Sequence, residues 1–215
     1  MKCLIVSGGT VSDEFVSELM KKEKFDVYLA ADAGMECFYR LHTSPDVIVG
    51  DFDSTGSKAL SFFQSIQKIQ FCTLQPEKDD TDTEFAIREA VRRGADDIIV
   101  AGATGTRLDH VLGNICLLGI GLEENISLSL LDSHNRIRLI NQPLTIKREE
   151  QYGKYVSLIP FSDQVTGVTL TGFKYPLSNY TMGGYNSLGI SNEIVEEQAV
   201  ISLKEGTLLV IESKD

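Results

Sequence analysis

Ile98-Ile99-Val100-Ala101-Gly102-Ala103-Thr104-Gly105-Thr106-Arg107-Leu108-Asp109-His110 passes from an apolar run, through a string of small residues, into a helical periodicity. A β-branched run of this length closed by glycine reads as a buried strand. Leu108, Val111, Leu112, Ile115 and Leu118 then recur on one helical face. The same alternation extends in both directions. Strand-like runs fall at Cys3–Val6, Val27–Ala31, Val47–Val49, Ile69–Leu74 and Ile126–Leu131. Helical spacing joins Phe15, Val16, Leu19 and Met20, and again Phe85, Ala86, Ala90 and Val91, with Gly94 as a stop signal. Strands alternating with helices over short links predict an α/β unit, a mostly parallel sheet flanked by helices on both faces.

Near Asn141 the helical periodicity ceases. Short alternating segments follow at Leu144–Lys147, Tyr155–Pro160, Val165–Leu170, Ile194–Val200 and Leu208–Ile211, punctuated by glycines. This pattern predicts an all-β sandwich. The expected domains are therefore residues 1–140, α/β, and 141–215, antiparallel β. A chain of 215 residues is long enough for either one large domain or two small ones.

The formal charge is −11 and the isoelectric point is near 4.8. Nucleic-acid grip rests on clustered Lys and Arg, so a phosphate-backbone binder is not expected. No apolar run approaches the roughly 18 residues of a membrane span, and Met1-Lys2 runs straight into Cys3–Val6 without a signal-peptide core. Cys3, Cys37, Cys72 and Cys116 are widely spaced with no CxxC pair. They predict reduced thiols and a cytoplasmic protein. Up to residue 140 there are 14 basic and 22 acidic residues, and beyond it 6 and 9, so the acidity lies mainly in the α/β part.

Three acidic segments sit at predicted strand ends: Ala31-Asp32-Ala33-Gly34, Gly50-Asp51-Phe52-Asp53-Ser54 and Glu77-Lys78-Asp79-Asp80-Thr81-Asp82. Ligands of open parallel sheets bind beyond the carboxyl ends of the strands. Carboxylates converging there repel one another unless a hard cation such as Mg²⁺ intervenes, usually together with substrate phosphates. If the chain stays extended through Asp51-Phe52-Asp53, both carboxylates face one side and Phe52 faces the core. The plainer alternatives are a solvated turn for Asp51-Phe52-Asp53 and helix capping by Asp79 and Asp80. The loop Gly102–Arg107 carries small residues that let backbone N–H groups approach an anion, and Arg107 is able to grip phosphate bidentately. Ser7-Gly8-Gly9-Thr10 is a second glycine turn. Neither matches GxGxxG or a Walker loop. His110, one turn into a helix, reads as a packed or capping side chain or as a participant.

These motifs, in this order and spacing, resemble the thiamine pyrophosphokinase family, as do Gly172-Phe173-Lys174-Tyr175-Pro176-Leu177 and Ser187-Leu188-Gly189-Ile190-Ser191-Asn192-Glu193. The resemblance spans nearly the whole chain. It implies a Rossmann-like α/β domain followed by a β-sandwich, assembled as a homodimer. It implies transfer of the pyrophosphoryl group of ATP to the hydroxyl of thiamine with release of AMP. By matching position, Asp51, Asp53 and Asp82 would be metal or pyrophosphate-site acids for Mg²⁺. Asp32, Asp79 and Asp109 would line the same cleft, with Asp79 or Asp109 accepting the alcohol proton. Lys78, Thr104, Arg107 and His110 would serve ATP, and Tyr175, Ser187, Ser191 and Asn192 would serve thiamine. A related diphosphokinase for another hydroxymethyl heterocycle such as a pterin, a non-catalytic sensor of thiamine or nucleotide, and a metal-dependent phosphohydrolase are the competing readings.

Overall fold

Cys3, Leu4, Ile5 and Val6 are wholly buried, because the strand they form is covered on both faces. The structure is a computed structural model that describes residues 1–52, 58–73, 80–184 and 186–215. The chain divides into two compact units, Met1–Ser133 and His134–Asp215. The division falls upstream of Asn141, in the turn before a strand that the sequence pattern did not reveal.

The first unit runs β1 (Lys2–Val6), α1 (Asp13–Lys22), β2 (Val27–Ala31), α2 (Gly34–Arg40), β3 (Val47–Gly50), α3 (Lys58–Gln64), β4 (Gln70–Thr73), α4 (Asp82–Arg92), β5 (Asp97–Ala101), α5 (Leu108–Leu117), α6 (Gly119–Glu123) and β6 (Ser127–Leu131). Its six strands are all parallel in the order β4-β3-β2-β1-β5-β6. The chain steps outward from β1 to β4, then returns to place β5 against the other side of β1. That reversal makes the carboxyl ends of β1 and β5 the switch point, where doubly wound sheets open a crevice.

Local chemistry sets the helix starts. Ser12 caps α1, its hydroxyl accepting from the Phe15 N–H at 3.3 Å. Thr81 caps α4, accepting from the Glu84 N–H at 3.2 Å. The capping role weighed for Asp79 and Asp80 therefore belongs to Thr81, and Asp82 is the first helical residue. No residue of α5 is buried: Leu108 and Leu112 of the apolar stripe are 72% and 62% exposed, and of that stripe only Leu118, just past the helix, is buried.

The second unit comprises β7 (Asn135–Ile140), β8 (Leu144–Lys147), β9 (Tyr155–Pro160), β10 (Gln164–Thr171), β11 (Leu177–Gly183), β12 (Asn192–Glu193), β13 (Gln198–Ser202) and β14 (Leu208–Ser213). They form two antiparallel layers, β12-β9-β14-β7 and β11-β10-β13-β8. Val156, Leu158, Val165, Leu170, Ile201 and Val210 belong to the core between them. The continuous strand expected over Ile194–Val200 does not form. Ile194 makes an isolated bridge to Phe173, and β13 begins only at Gln198. At one end of this core Glu212 is fully buried and receives both Arg136 and Arg138, as well as the Tyr152 N–H at 2.9 Å.

Candidate active site

A cleft of about 590 Å³ opens at the switch point of the parallel sheet. Two glycine loops form its floor. The Gly9 N–H donates to Gly102 O at 2.9 Å and the Thr10 N–H to Thr104 O at 2.9 Å. Side chains cannot enter this seam. A Cβ on Gly9 would stand 2.4 Å from Gly102 O, and one on Gly102 would stand 2.4 Å from Ser7 O. Gly102 also has φ +71°, the left-handed region that favours glycine. The second loop is pinned from behind, where Thr104 Oγ1 donates to Asp132 at 2.9 Å and Asn114 Nδ2 donates to Ala103 O at 2.7 Å.

Three carboxylates share this cleft with the loops: Asp32, Asp51 and Asp82. Asp32 leaves β2 with φ +50° and its N–H donates to Val49 O at 2.8 Å. Aspartate tolerates that conformation better than most residues. Its carboxylate lies against Gly8, where an added Cβ would sit 3.3 Å from Oδ2. Asp51 follows β3, and Asp82 opens α4, where the helix dipole favours an acid. The extended Asp51-Phe52-Asp53 geometry is corrected. Phe52 has φ +58°, so the chain turns there, and its ring packs edge-on against Phe71 with centroids 5.8 Å apart. A bulky residue in the left-handed region stores strain. Asp53, Lys78 and Asp79 lie outside the described residues.

Thr104, Arg107 and His110 line the cleft, whereas Asp109 does not. Asp109 turns outward onto its neighbour: Arg107 donates to it through Nε at 3.2 Å and Nη2 at 2.5 Å. That guanidinium, with a further contribution from the His110 N–H, holds the Asp109 carboxyl down at about 2. A depressed carboxyl stays ionised until the pH falls through that value, so Asp109 is charged throughout the neutral range and binds a proton weakly. Replacing Arg107 with Ala is expected to return Asp109 toward the ordinary carboxylate value of about 3.9. Carbon-detected NMR titration of the Asp109 carboxyl checks this, and an unmoved midpoint rules out the ion pair as the cause.

The sequence pattern missed Thr83 and Asn114 as cleft residues, and it valued Ser7–Thr10 only as a turn. Nothing in single-residue chemistry distinguishes them. Their signal was position: Ser7–Thr10 follow β1, Thr83 lies in the first turn of α4, and Asn114 lies in the middle of α5.

The second unit holds a separate apolar pocket of about 330 Å³. Tyr175 and Asn192 line it together with Phe173, Leu158, Leu188 and Ile190, while Ser187 and Ser191 are exposed and stand outside its lining. Asn192 is buried and grips Tyr175 by both backbone groups. Its Oδ1 accepts the Tyr175 N–H at 3.0 Å, and its Nδ2 donates to Tyr175 O at 2.8 Å. The Glu193 N–H also donates to Oδ1, at 2.9 Å. Tyr175 itself is 60% exposed, with Lys174 Nζ 5.6 Å from the ring centroid. Ser191, at φ +59°, donates its N–H to Ser157 Oγ at 3.0 Å. The apolar lining came from inward positions of β9 and β10 that the sequence marked only as core.

Comparison with known proteins decides what this pair of sites belongs to. The family model for the thiamin pyrophosphokinase catalytic domain matches residues 17–130, and that for the thiamin pyrophosphokinase vitamin B1 binding domain matches residues 142–208. The chain belongs to the thiamin pyrophosphokinase family. A thiamine pyrophosphokinase of Bacillus subtilis is 33% identical over 193 residues, covering 90% of each chain. The crystal structure of thiamine pyrophosphokinase from Bacillus subtilis superimposes with a TM-score of 0.90 at 32% identity, covering 100% of both chains. That of thiamin pyrophosphokinase from Geobacillus thermodenitrificans gives 0.87 at 32% identity, covering 100% of this chain and 98% of the other. The family is one of ATP-dependent diphosphotransferases that form thiamine diphosphate.

The donor set fits a hard cation. Among the described residues no three Asp, Glu, His or Cys side chains form a complete metal cage. The acids of the cleft offer oxygen alone, and Mg²⁺ is commonly held by one or two carboxylates, waters and substrate phosphates.

Proposed function

We propose that the chain transfers the pyrophosphoryl group of ATP to the primary hydroxyl of thiamine, giving thiamine diphosphate and AMP. The observation that carries this reading is the convergence of Asp32, Asp51 and Asp82 on two interlocked glycine loops at the sheet's switch point, in a chain of this family. The thiamine oxygen forms a bond to the β-phosphorus. The bond from that phosphorus to the oxygen bridging to the α-phosphate breaks, and AMP leaves with the electron pair. Such a transfer asks for positioning and charge neutralisation more than covalent help.

Asp51 and Asp82, with Asp53 by sequence, are the residues we assign to Mg²⁺, which when bound neutralises phosphate charge. Asp32, its carboxylate against Gly8, lines the same cleft. Thr104, Arg107, His110 and, by sequence, Lys78 serve the nucleotide, and the small residues of the glycine loops let phosphate oxygens approach the backbone closely. Asp109, firmly ionised on Arg107, is disfavoured as the acceptor of the alcohol proton, and we assign that role to Asp79. Tyr175 and the apolar pocket take the thiamine rings. Asn192 acts by fixing Tyr175 rather than by touching the ligand, and Ser187 and Ser191 contribute at the pocket's approach. Asn192→Ala is expected to raise KM for thiamine about tenfold, the scale of two lost hydrogen bonds, with KM for ATP unchanged. An unchanged thiamine KM defeats that role.

We further infer a homodimer in the cytoplasm. The open apolar face of α5, with Leu108 and Leu112 exposed, suits a second copy of the chain, and four free cysteines suit a reducing compartment. Sedimentation velocity tests the first inference: a monomer at micromolar concentration refutes it. Among the described residues no helix is long and apolar enough to cross a membrane.

One incubation with ATP, Mg²⁺ and thiamine, following both products, tests the function. AMP and thiamine diphosphate are expected in equal amounts, and only when all three are present. AMP formed without thiamine would indicate a hydrolase instead, and ATP turnover with a pterin alcohol would indicate the related diphosphokinase.

A further inference from the structure

Ser7 and Thr83 stand 76 residues apart in sequence, yet their hydroxyl oxygens approach to 2.5 Å. Ser7 is the first residue after β1 and Thr83 the second of α4. Both are buried, at 5% and 7% exposure, and both border the cleft. A buried hydroxyl is costly unless bonded, so the pair satisfies a local need. Its proton count leaves a remainder. Two hydroxyls carry two protons, and their mutual bond uses one. Among the described residues neither side chain has another hydrogen-bond partner. One O–H of the pair is therefore unspent, at the wall of a cleft lined by two interlocked glycine loops and by Asp32, Asp51 and Asp82.

The pair also has a mechanical consequence. Ser7 begins the loop whose Gly9 and Thr10 lock onto Gly102 and Thr104. Thr83 follows Asp82 directly. The bond thus ties the glycine loops to the helical turn that carries a cleft carboxylate.

We propose that Ser7 and Thr83 act together as a phosphate-contacting pair. One hydroxyl donates to the other, and the remaining proton is given to an oxygen of the nucleotide's polyphosphate chain. The inference rests on the assignment of this cleft to ATP. A hydrogen bond from a neutral hydroxyl to a charged oxygen is worth enough to shift affinity about tenfold when lost.

The test uses the full chain with Ser7→Ala, Thr83→Val, both together, and Thr83→Ser. Equilibrium binding of ATP with Mg²⁺ is measured by calorimetry, and KM and kcat are measured for each substrate. Each single variant is expected to weaken ATP binding about tenfold and to raise KM for ATP while leaving KM for thiamine unchanged. Thr83→Ser is expected to bind ATP as the unmodified chain does. The double variant should lose little beyond either single, because partners of one bond are not additive. A purely structural clasp would lower the melting temperature and leave ATP binding within twofold, and that result overturns the proposal. So does an additive double variant, or a Thr83→Ser that is not restored. Failure of the unmodified chain to make thiamine diphosphate would refute the function instead, and the calorimetric comparison would still judge the pair. An unmodified chain that binds no ATP overturns both.

Discussion

A chain carrying Asp51→Asn and Asp82→Asn is expected to form thiamine diphosphate about a thousandfold more slowly, the scale seen when preorganised charge stabilisation is removed, and to melt no lower than the parent. Asparagine keeps the shape of aspartate and gives up its charge. Both positions are partly exposed at the cleft. Like charges converging on one cleft repel, so their removal relieves the folded state. The same charges are what a divalent cation and a polyphosphate need, and an amide oxygen binds Mg²⁺ poorly in comparison. Product formation across a Mg²⁺ titration, with circular dichroism melts beside it, gives the answer. Activity within tenfold of the parent removes Asp51 and Asp82 from the metal assignment. A collapsed melt would mean that the carboxylates are structural.

The second large effect lies in the other unit. Glu212→Ala is expected to destabilise it by about 3 to 5 kcal/mol, the cost of stranding one side of a buried ion pair. Glu212 is fully buried, and Arg136 and Arg138 are only about a quarter exposed. The Arg136 pair is bidentate, at 2.8 and 2.7 Å. Burial pushes the Arg138 guanidinium below its ordinary value, with Glu212 opposing that shift. Among the described residues its Nε has no hydrogen-bond partner. Without Glu212, two cations would face each other at the end of an apolar core, and the Tyr152 N–H would lose its acceptor. Urea unfolding followed at a probe in the β-sandwich measures the loss. A change below about 1 kcal/mol would place the triad among screened surface pairs.

The elements most legible in the sequence were those buried on both faces. The parallel strands β1, β2, β3 and β5 appear as short apolar runs because helices or loops cover both sides. β7 escaped notice because Arg136 and Arg138 occupy one of its faces, leaving Ile137 and Leu139, on the other, as its only buried positions. β11 escaped because Ser178, Asn179, Tyr180 and Thr181 are all exposed. Glu196-Glu197 broke the strand that the alternation over Ile194–Val200 suggested. In the site, aspartates were readable because like charges at strand ends need a reason to be there. Asp109 misled because its nearest cation is Arg107, two residues away, a local pairing that spacing alone does not reveal. Thr83 and Asn192 were opaque as to what they bond. Their importance comes from Ser7 and Tyr175, partners that only the fold supplies.

The placement of β5 beside β1 has a consequence for synthesis. A nascent chain that ends before Asp97 already contains Asp32, Asp51 and Asp82, but it has no β5 to hold Gly102 and Thr104 against Gly9 and Thr10. The first four strands are laid down as neighbours, whereas the pairing of Lys2 with Asp97 closes a contact across most of the unit. Contacts of that separation form late and slowly. An emerging polypeptide therefore carries these acids before it has the crevice that brings them together with the glycine loops.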